Sequence, residues 1–166
     1  FSCSSKTMKG FIDLQVNGYV GINFSVHGLT VEKVYFVTRK LIEQGTIAYC
    51  PTIVTSSMEV YRENLPIIAK AMETKELAPH ILGIHIEGPF ISSLSGARGA
   101  HNREMIQTPS IRVYEEFQEL ALGKIIIVTL APEMEGAKAL VRHITRDRTV
   151  IVSLGHHMAD KAQIQM

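Results

Sequence analysis

The segment Ile84-His85-Ile86-Glu87-Gly88-Pro89 sets an imidazole and a carboxylate two residues apart in an otherwise apolar run. In a strand alternate side chains share a face, so His85 and Glu87 point one way and both isoleucines the other. Gly88-Pro89 ends such a strand and leaves Glu87 at its mouth. A carboxylate there is costly unless it is paired, hydrogen-bonded or bound to metal. The segment therefore reads either as a metal site or as an ion pair inside the fold. Asp13, Gln15 and Asn17 show the same parity in an earlier run, opposite Ile12, Leu14 and Val16. They predict a wet, hydrogen-bonding strand end, with Asp13 as a buried structural partner. Near the C-terminus, Ser153-Leu154-Gly155-His156-His157 puts an imidazole beside a glycine at a third apolar run. An imidazole so placed can ligate a metal through either ring nitrogen, or can serve as an ordinary surface or capping group. Strict alternation groups His156 with Val152 and Leu154, so it faces inward only if it lies beyond the regular strand or follows a bulge. Gly99-Ala100-His101-Asn102 closes a Ser- and Gly-rich loop spanning about a dozen residues after Glu87. Loops of that length are more often functional than decorative.

These groups need a scaffold that brings strand ends together. Five apolar, β-branched runs occur at 11–16, 46–54, 81–87, 125–131 and 149–154. Their near-continuous apolarity predicts strands buried on both faces. Helical patterns separate them. Thr30 caps one over Val31, Val34, Val37 and Leu41, ending at Gly45. Ser56 and Glu59 form a capping-box pattern for the next, which Pro66 should kink or restart. Thr108-Pro109-Ser110 opens a third before Ile111–Leu122, and Met134–Ile144 supplies a fourth. Alternation of this kind predicts a parallel sheet of right-handed βαβ units. An open doubly wound sheet would often carry a glycine-rich phosphate loop after its first strand, and Gln15-Val16-Asn17-Gly18 is not one. Polar residues recur instead at strand C-terminal ends (Gln15, Asn17, Glu87, Glu133, His156), where a (β/α)8 barrel places its active site. The fold class expected is thus α/β, a partial TIM-type barrel of about five β/α units in one barrel domain over residues 10–166, preceded by a tail at 1–9.

Composition narrows the class. Of the 166 residues 46% are hydrophobic and 20% charged, and the formal net charge is +1. That balance supports a folded core, and neither basic clusters nor stacking aromatics point to nucleic acid. No apolar stretch approaches the roughly 20 residues of a membrane span. Cys3 and Cys50 form no CxxC pair, so a disulfide framework is not expected and a reducing cytoplasm fits.

Taken together, the stretches FIDLQVNG (11–18), CPTIVTSS (50–57), LGIHIEGPFI (82–91), GAHN (99–102), TLAPE (129–133) and SLGHH (153–157) resemble the N-acetylglucosamine-6-phosphate deacetylase family of the amidohydrolase superfamily. The resemblance runs from about Gly10 to the end and covers about the first five strands of such a barrel. It implies removal of the acetyl group from a phosphorylated amino sugar by a metal-dependent hydrolase of amino-sugar catabolism. Glu87 and His156 would be metal ligands, with a third, a His, on a sixth strand. One divalent ion, Zn2+, would polarise the amide carbonyl and acidify water. A general acid–base Asp would stand on an eighth strand. Ala100, His101 and Asn102 would contact the substrate, and Gln15 and Asn17 would line the site. Because Gln15 and Asn17 stand where many amidohydrolases have His-x-His, a single-metal site is favoured. The resemblance also implies a homodimer. Two protein ligands do not make a catalytic zinc site, so the chain alone is expected to be inactive. Two other functions remain open: an amidohydrolase for a cyclic amide or another N-acyl substrate, and a non-catalytic half-barrel module for binding or assembly.

Overall fold

A computed structural model describes residues 9–165; the expected N-terminal tail lies almost wholly outside them. The first strand, β1 (Phe11–Val16), runs into a two-residue hairpin, β2 (Gly18–Tyr19) and β3 (Ile22–Asn23), which the apolar pattern did not announce. Then follow α1 (Val31–Glu43), β4 (Thr46–Val54), α2 (Met58–Ala71) and β5 (Ile84–Glu87). A short 3₁₀ turn (Arg103–Met105) leads to α3 (Ile111–Leu120), β6 (Ile125–Leu130), α4 (Ala137–Ile144), β7 (Ile151–Leu154) and a last turn of helix, α5 (Lys161–Ile164). The five long strands pair in parallel in the order β1-β4-β5-β6-β7. Each crosses to its immediate successor, which makes the curled half-barrel sheet of a partial (β/α)8 fold.

The helix starts follow local chemistry, with shifts from expectation. Thr30 caps α1 through Lys33 N, and Gly45 takes a φ of 88 just beyond its end. The cap of α2 is Ser57, one residue later than expected. Ser56 turns back to the carbonyls of Val54 and Ser25 instead. Pro66 lies within α2, which runs past it without a break. Ser110 caps α3, so Pro109 precedes the cap rather than opening the first turn. α4 begins three residues later than expected, at Ala137, because Gly136 takes a left-handed φ of 83.

The core lies between the sheet and helices α1–α4. Tyr61 of α2 stacks on Phe117 of α3 with ring centroids 4.3 Å apart, and Phe90, beyond β5, lies 6.4 Å from Phe117. At the sheet centre Ile84 and Ile86 are fully buried on the helix side. The sheet edges differ. In β1, Phe11, Ile12 and Leu14 are at least half exposed, as is Ile151 in β7, because a terminal strand has a neighbour on one side only. Asp13 shares that fate. It is exposed, not the buried partner expected, and its carboxylate accepts from Gln15 N of its own strand.

Candidate metal centre

Register brings the chemistry to one row at the C-terminal end of the sheet. Val54 pairs with Glu87, Glu87 with Thr129, and Thr129 with Ser153. His85 and Glu87 point to the same side, as alternation requires, but their roles separate. His85 donates from Nδ1 to Leu14 O at 2.9 Å, and its Nε2 accepts from the Thr129 hydroxyl at 2.8 Å. Burial pushes its pKa down, more than the Leu14 carbonyl and the Glu87 charge oppose. His85 is therefore a neutral stitch between β1, β5 and β6.

Glu87 goes to the mouth. Its Oε2 accepts from Gln15 Nε2 at 2.8 Å, and its Oε1 lies 2.8 Å from His156 Nε2 and 3.7 Å from His101 Nε2. Burial works to raise the carboxyl pKa, but hydrogen bonds and charge from His101 and His156 outweigh it and hold the group below its usual value. His156 reaches this point because β7 ends at Leu154. Gly155 packs against Thr129, where a Cβ would come within 2.6 Å of the Thr129 methyl, and its N–H donates to Leu130 O. His156 itself takes a left-handed φ of 53, rare for a residue with a side chain and a frequent mark of functional sites. The long loop supplies the remainder. Ala97 O accepts from His156 Nδ1 at 3.0 Å, Ser92 N donates to His156 O, and Arg98 clasps the His101 carbonyl.

Glu87, His101 and His156 are a group that could hold a metal: one ligand atom from each lies within 4.8 Å of the others. A carbonyl only accepts, so His156 Nδ1 carries its proton toward Ala97, and in the neutral ring Nε2 is a bare lone pair. That lone pair faces a carboxylate oxygen at 2.8 Å. Two acceptors hold this geometry only with a proton or a cation between them. The donor set, one carboxylate and imidazole nitrogens, suits zinc and similar divalent ions.

The other expected residues fall as follows. Asn17, Val54, Ala100 and the three clustered residues line one cavity of about 290 Å3. Asn102 turns away: its side chain caps the 3₁₀ turn by accepting from Glu104 N, and it lines an adjacent groove. Glu133 accepts from Met158 N and ties the segment after β7 to the end of β6. His157 accepts from Ala159 N, a neighbour's role. What residue-by-residue reading missed is that His101 shares one point with the two expected ligands, and that the buried Thr55 hydroxyl contacts it at 2.8 Å. A threonine after an apolar strand carries no signal by itself.

No family model matches the chain. It is 39% identical over 160 residues to the N-acetylglucosamine-6-phosphate deacetylase of Homo sapiens, covering 91% of this chain and 37% of that protein. To the N-acetylgalactosamine-6-phosphate deacetylase of a Shewanella species it is 33% identical over 157 residues, covering 95% of this chain and 38% of the other. A mutant N-acetyl-D-glucosamine-6-phosphate deacetylase from Mycobacterium smegmatis, solved with N-acetyl-D-glucosamine-6-phosphate, superposes with a TM-score of 0.81 at 26% identity, over 94% of this chain and 39% of that one. No helix among the described residues is long and apolar enough to cross a membrane. In sequence and in fold, this chain is a relative of the N-acetylglucosamine-6-phosphate deacetylases and spans about 40% of their length.

Proposed function

We propose that this chain carries part of the active site of a metal-dependent deacetylase acting on a 2-acetamido sugar 6-phosphate. The observation that supports it is the convergence of Glu87 Oε1 and His156 Nε2 on one point of a cavity at the strand ends, with His101 Nε2 3.2 Å from His156 Nε2. Glu87 and His156 are the ligands in this chain, with a third imidazole and an acid–base Asp supplied by the sixth and eighth strands of a whole barrel. They would hold one divalent ion, Zn2+ in our reading, which would supply polarisation of an amide carbonyl and a lowered pKa for water. Gln15 orients the ligand carboxylate by holding its second oxygen. The Gln15 and Asn17 amides leave no imidazole for a second ion on β1. His101 and Ala100 face the cavity and contact the substrate, and Asn102 shapes the loop beside them. Cys50, a free and buried thiol, accords with a reducing cytoplasm. The enzyme would work as a homodimer.

The test has two arms. Titration with Zn2+ and Co2+ should show binding to the 166-residue chain that Glu87→Gln removes. Acetate release from N-acetylglucosamine 6-phosphate and its galactosamine epimer should be absent from the repurified chain and present, metal-dependent, in a polypeptide of the relatives' full length. Chelator-insensitive acetate release, or metal binding untouched by Glu87→Gln, would refute the reading.

A further inference from the structure

Thr55 is the first residue beyond β4, as Gly88 is the first beyond β5, and the paired register of Val54 with Glu87 sets the two side by side. A Cβ at Gly88 would lie 2.2 Å from Thr55 Oγ1 and 3.4 Å from Thr55 Cβ. The hydroxyl thus occupies space that only a glycine leaves free. It is used there for one contact: Thr55 Oγ1 to His101 Nδ1 at 2.8 Å, with Thr55 6% and His101 9% exposed. A buried hydroxyl needs an acceptor for its proton. Among the described residues the acceptor in reach is His101 Nδ1. If Nδ1 accepts, the ring's proton is on Nε2, the nitrogen that opens on the cavity. The surrounding contacts agree with that direction. The nearest carboxylate oxygen, Glu87 Oε1, lies 3.7 Å from His101 Nε2 and can only accept, so it faces an N–H there more favourably than a lone pair.

We infer that Thr55 is a positioning residue: its hydroxyl donates to His101 Nδ1, fixes the ring, and keeps an N–H on Nε2 aimed into the cavity. An Nε2–H is a donor, so His101 is set to hydrogen-bond an oxygen of the bound acetamido or sugar group rather than to ligate the ion. This assignment of partner rests on the deacetylase reading; the state of the ring does not. Arg98 reinforces it from the backbone side by holding the His101 carbonyl.

Long-range 1H–15N spectra of the histidine rings, recorded on the metal-free protein at a pH where His101 is neutral, test the inference directly. The wild type should show His101 as the Nε2–H tautomer. Thr55→Val, isosteric without the hydroxyl, should shift the tautomer ratio roughly fivefold toward Nδ1–H, the factor expected for one net hydrogen bond. Thr55→Ser should restore the wild-type ratio. Thr55→Ala provides the same comparison if the valine variant does not fold, and thermal melts confirm that each variant is native. An Nδ1–H ring in the wild type, or a ratio unchanged by Thr55→Val and Thr55→Ala, overturns the inference. Co2+ titration of the same samples separates it from the functional reading. With His101 outside the ligand set, Thr55→Val should bind Co2+ within about twofold of wild type, well short of the loss typical when a ligand's own partner is removed. A drop of tenfold or more would place His101 among the ligands and overturn the donor role. A wild type that binds no Co2+ would sink the metal reading while the ring spectra still decide the role of Thr55.

Discussion

Replacing Gly88 by alanine adds one methyl group at the point where two strand ends meet, and its cost follows from two separate terms. Gly88 has a φ of 84, in the left-handed region. An L-residue there costs about 1–2 kcal/mol relative to glycine. The new Cβ would sit 2.2 Å from Thr55 Oγ1, more than an ångström inside ordinary contact. Relief requires rotating the Thr55 side chain, which removes the hydroxyl from His101 Nδ1. Leaving those buried groups without their partner costs about 1–3 kcal/mol. The sum is about 2–5 kcal/mol, centred near 3.5, and for a chain of this size should lower Tm by roughly 10 °C. Urea denaturation of wild type, Gly88→Ala, Thr55→Ala and the double variant makes a cycle that isolates the steric term. With Thr55 already truncated, the Gly88→Ala cost should fall to the backbone strain alone, leaving a coupling of about 1–3 kcal/mol. Equal costs in both backgrounds, or a Gly88→Ala cost under about 1 kcal/mol, would show that Thr55 and Gly88 do not compete for that space.

Two further predictions concern the site and the core behind it. Gln15→Ala frees Glu87 Oε2 from its 2.8 Å hydrogen bond and should weaken Co2+ binding about tenfold by calorimetry; an affinity within twofold of wild type would remove Gln15 from the site. The Cys50 thiol is pushed up to about 11, first by burial and then by the Asp13 charge, so deprotonation is disfavoured. At pH 8 about one in a thousand Cys50 groups is a thiolate, and the residue is fully buried. Peptide-resolved iodoacetamide labelling should leave Cys50 unmodified in the native protein below pH 9 and modify it on unfolding. Equal labelling in both states would refute the placement.

Much of the architecture was legible in the chain. The apolar runs of β1 and β4 match the observed strands residue for residue; in β4 burial leaves little polar character inside the strand, whereas β1 keeps its apolar run although it stands at the sheet edge and is largely exposed. Boundaries set by single hydrogen bonds were harder. The capping-box pattern pointed to Ser56 for α2, but the cap is Ser57, because Ser56 finds carbonyls of Val54 and Ser25 that only the folded loop presents. Asp13 has the parity of an inward group, yet its surroundings depend on how many strands flank β1, a property of the sheet and not of the segment.

The same division runs through the site. By itself the sequence determined that Glu87 stands at a strand mouth and that His156 faces inward only if it leaves the regular strand, since both follow from the two-residue period of a β-strand. Tertiary structure decided the rest. It set His156 at a φ of 53, brought His101 from the distant loop to within 3.2 Å of it, and laid the Thr55 hydroxyl in the space that Gly88 leaves open. These are contacts between residues 33 to 55 positions apart. No local pattern encodes them, because they depend on strand register and on how the long loop folds back over the ends of the sheet.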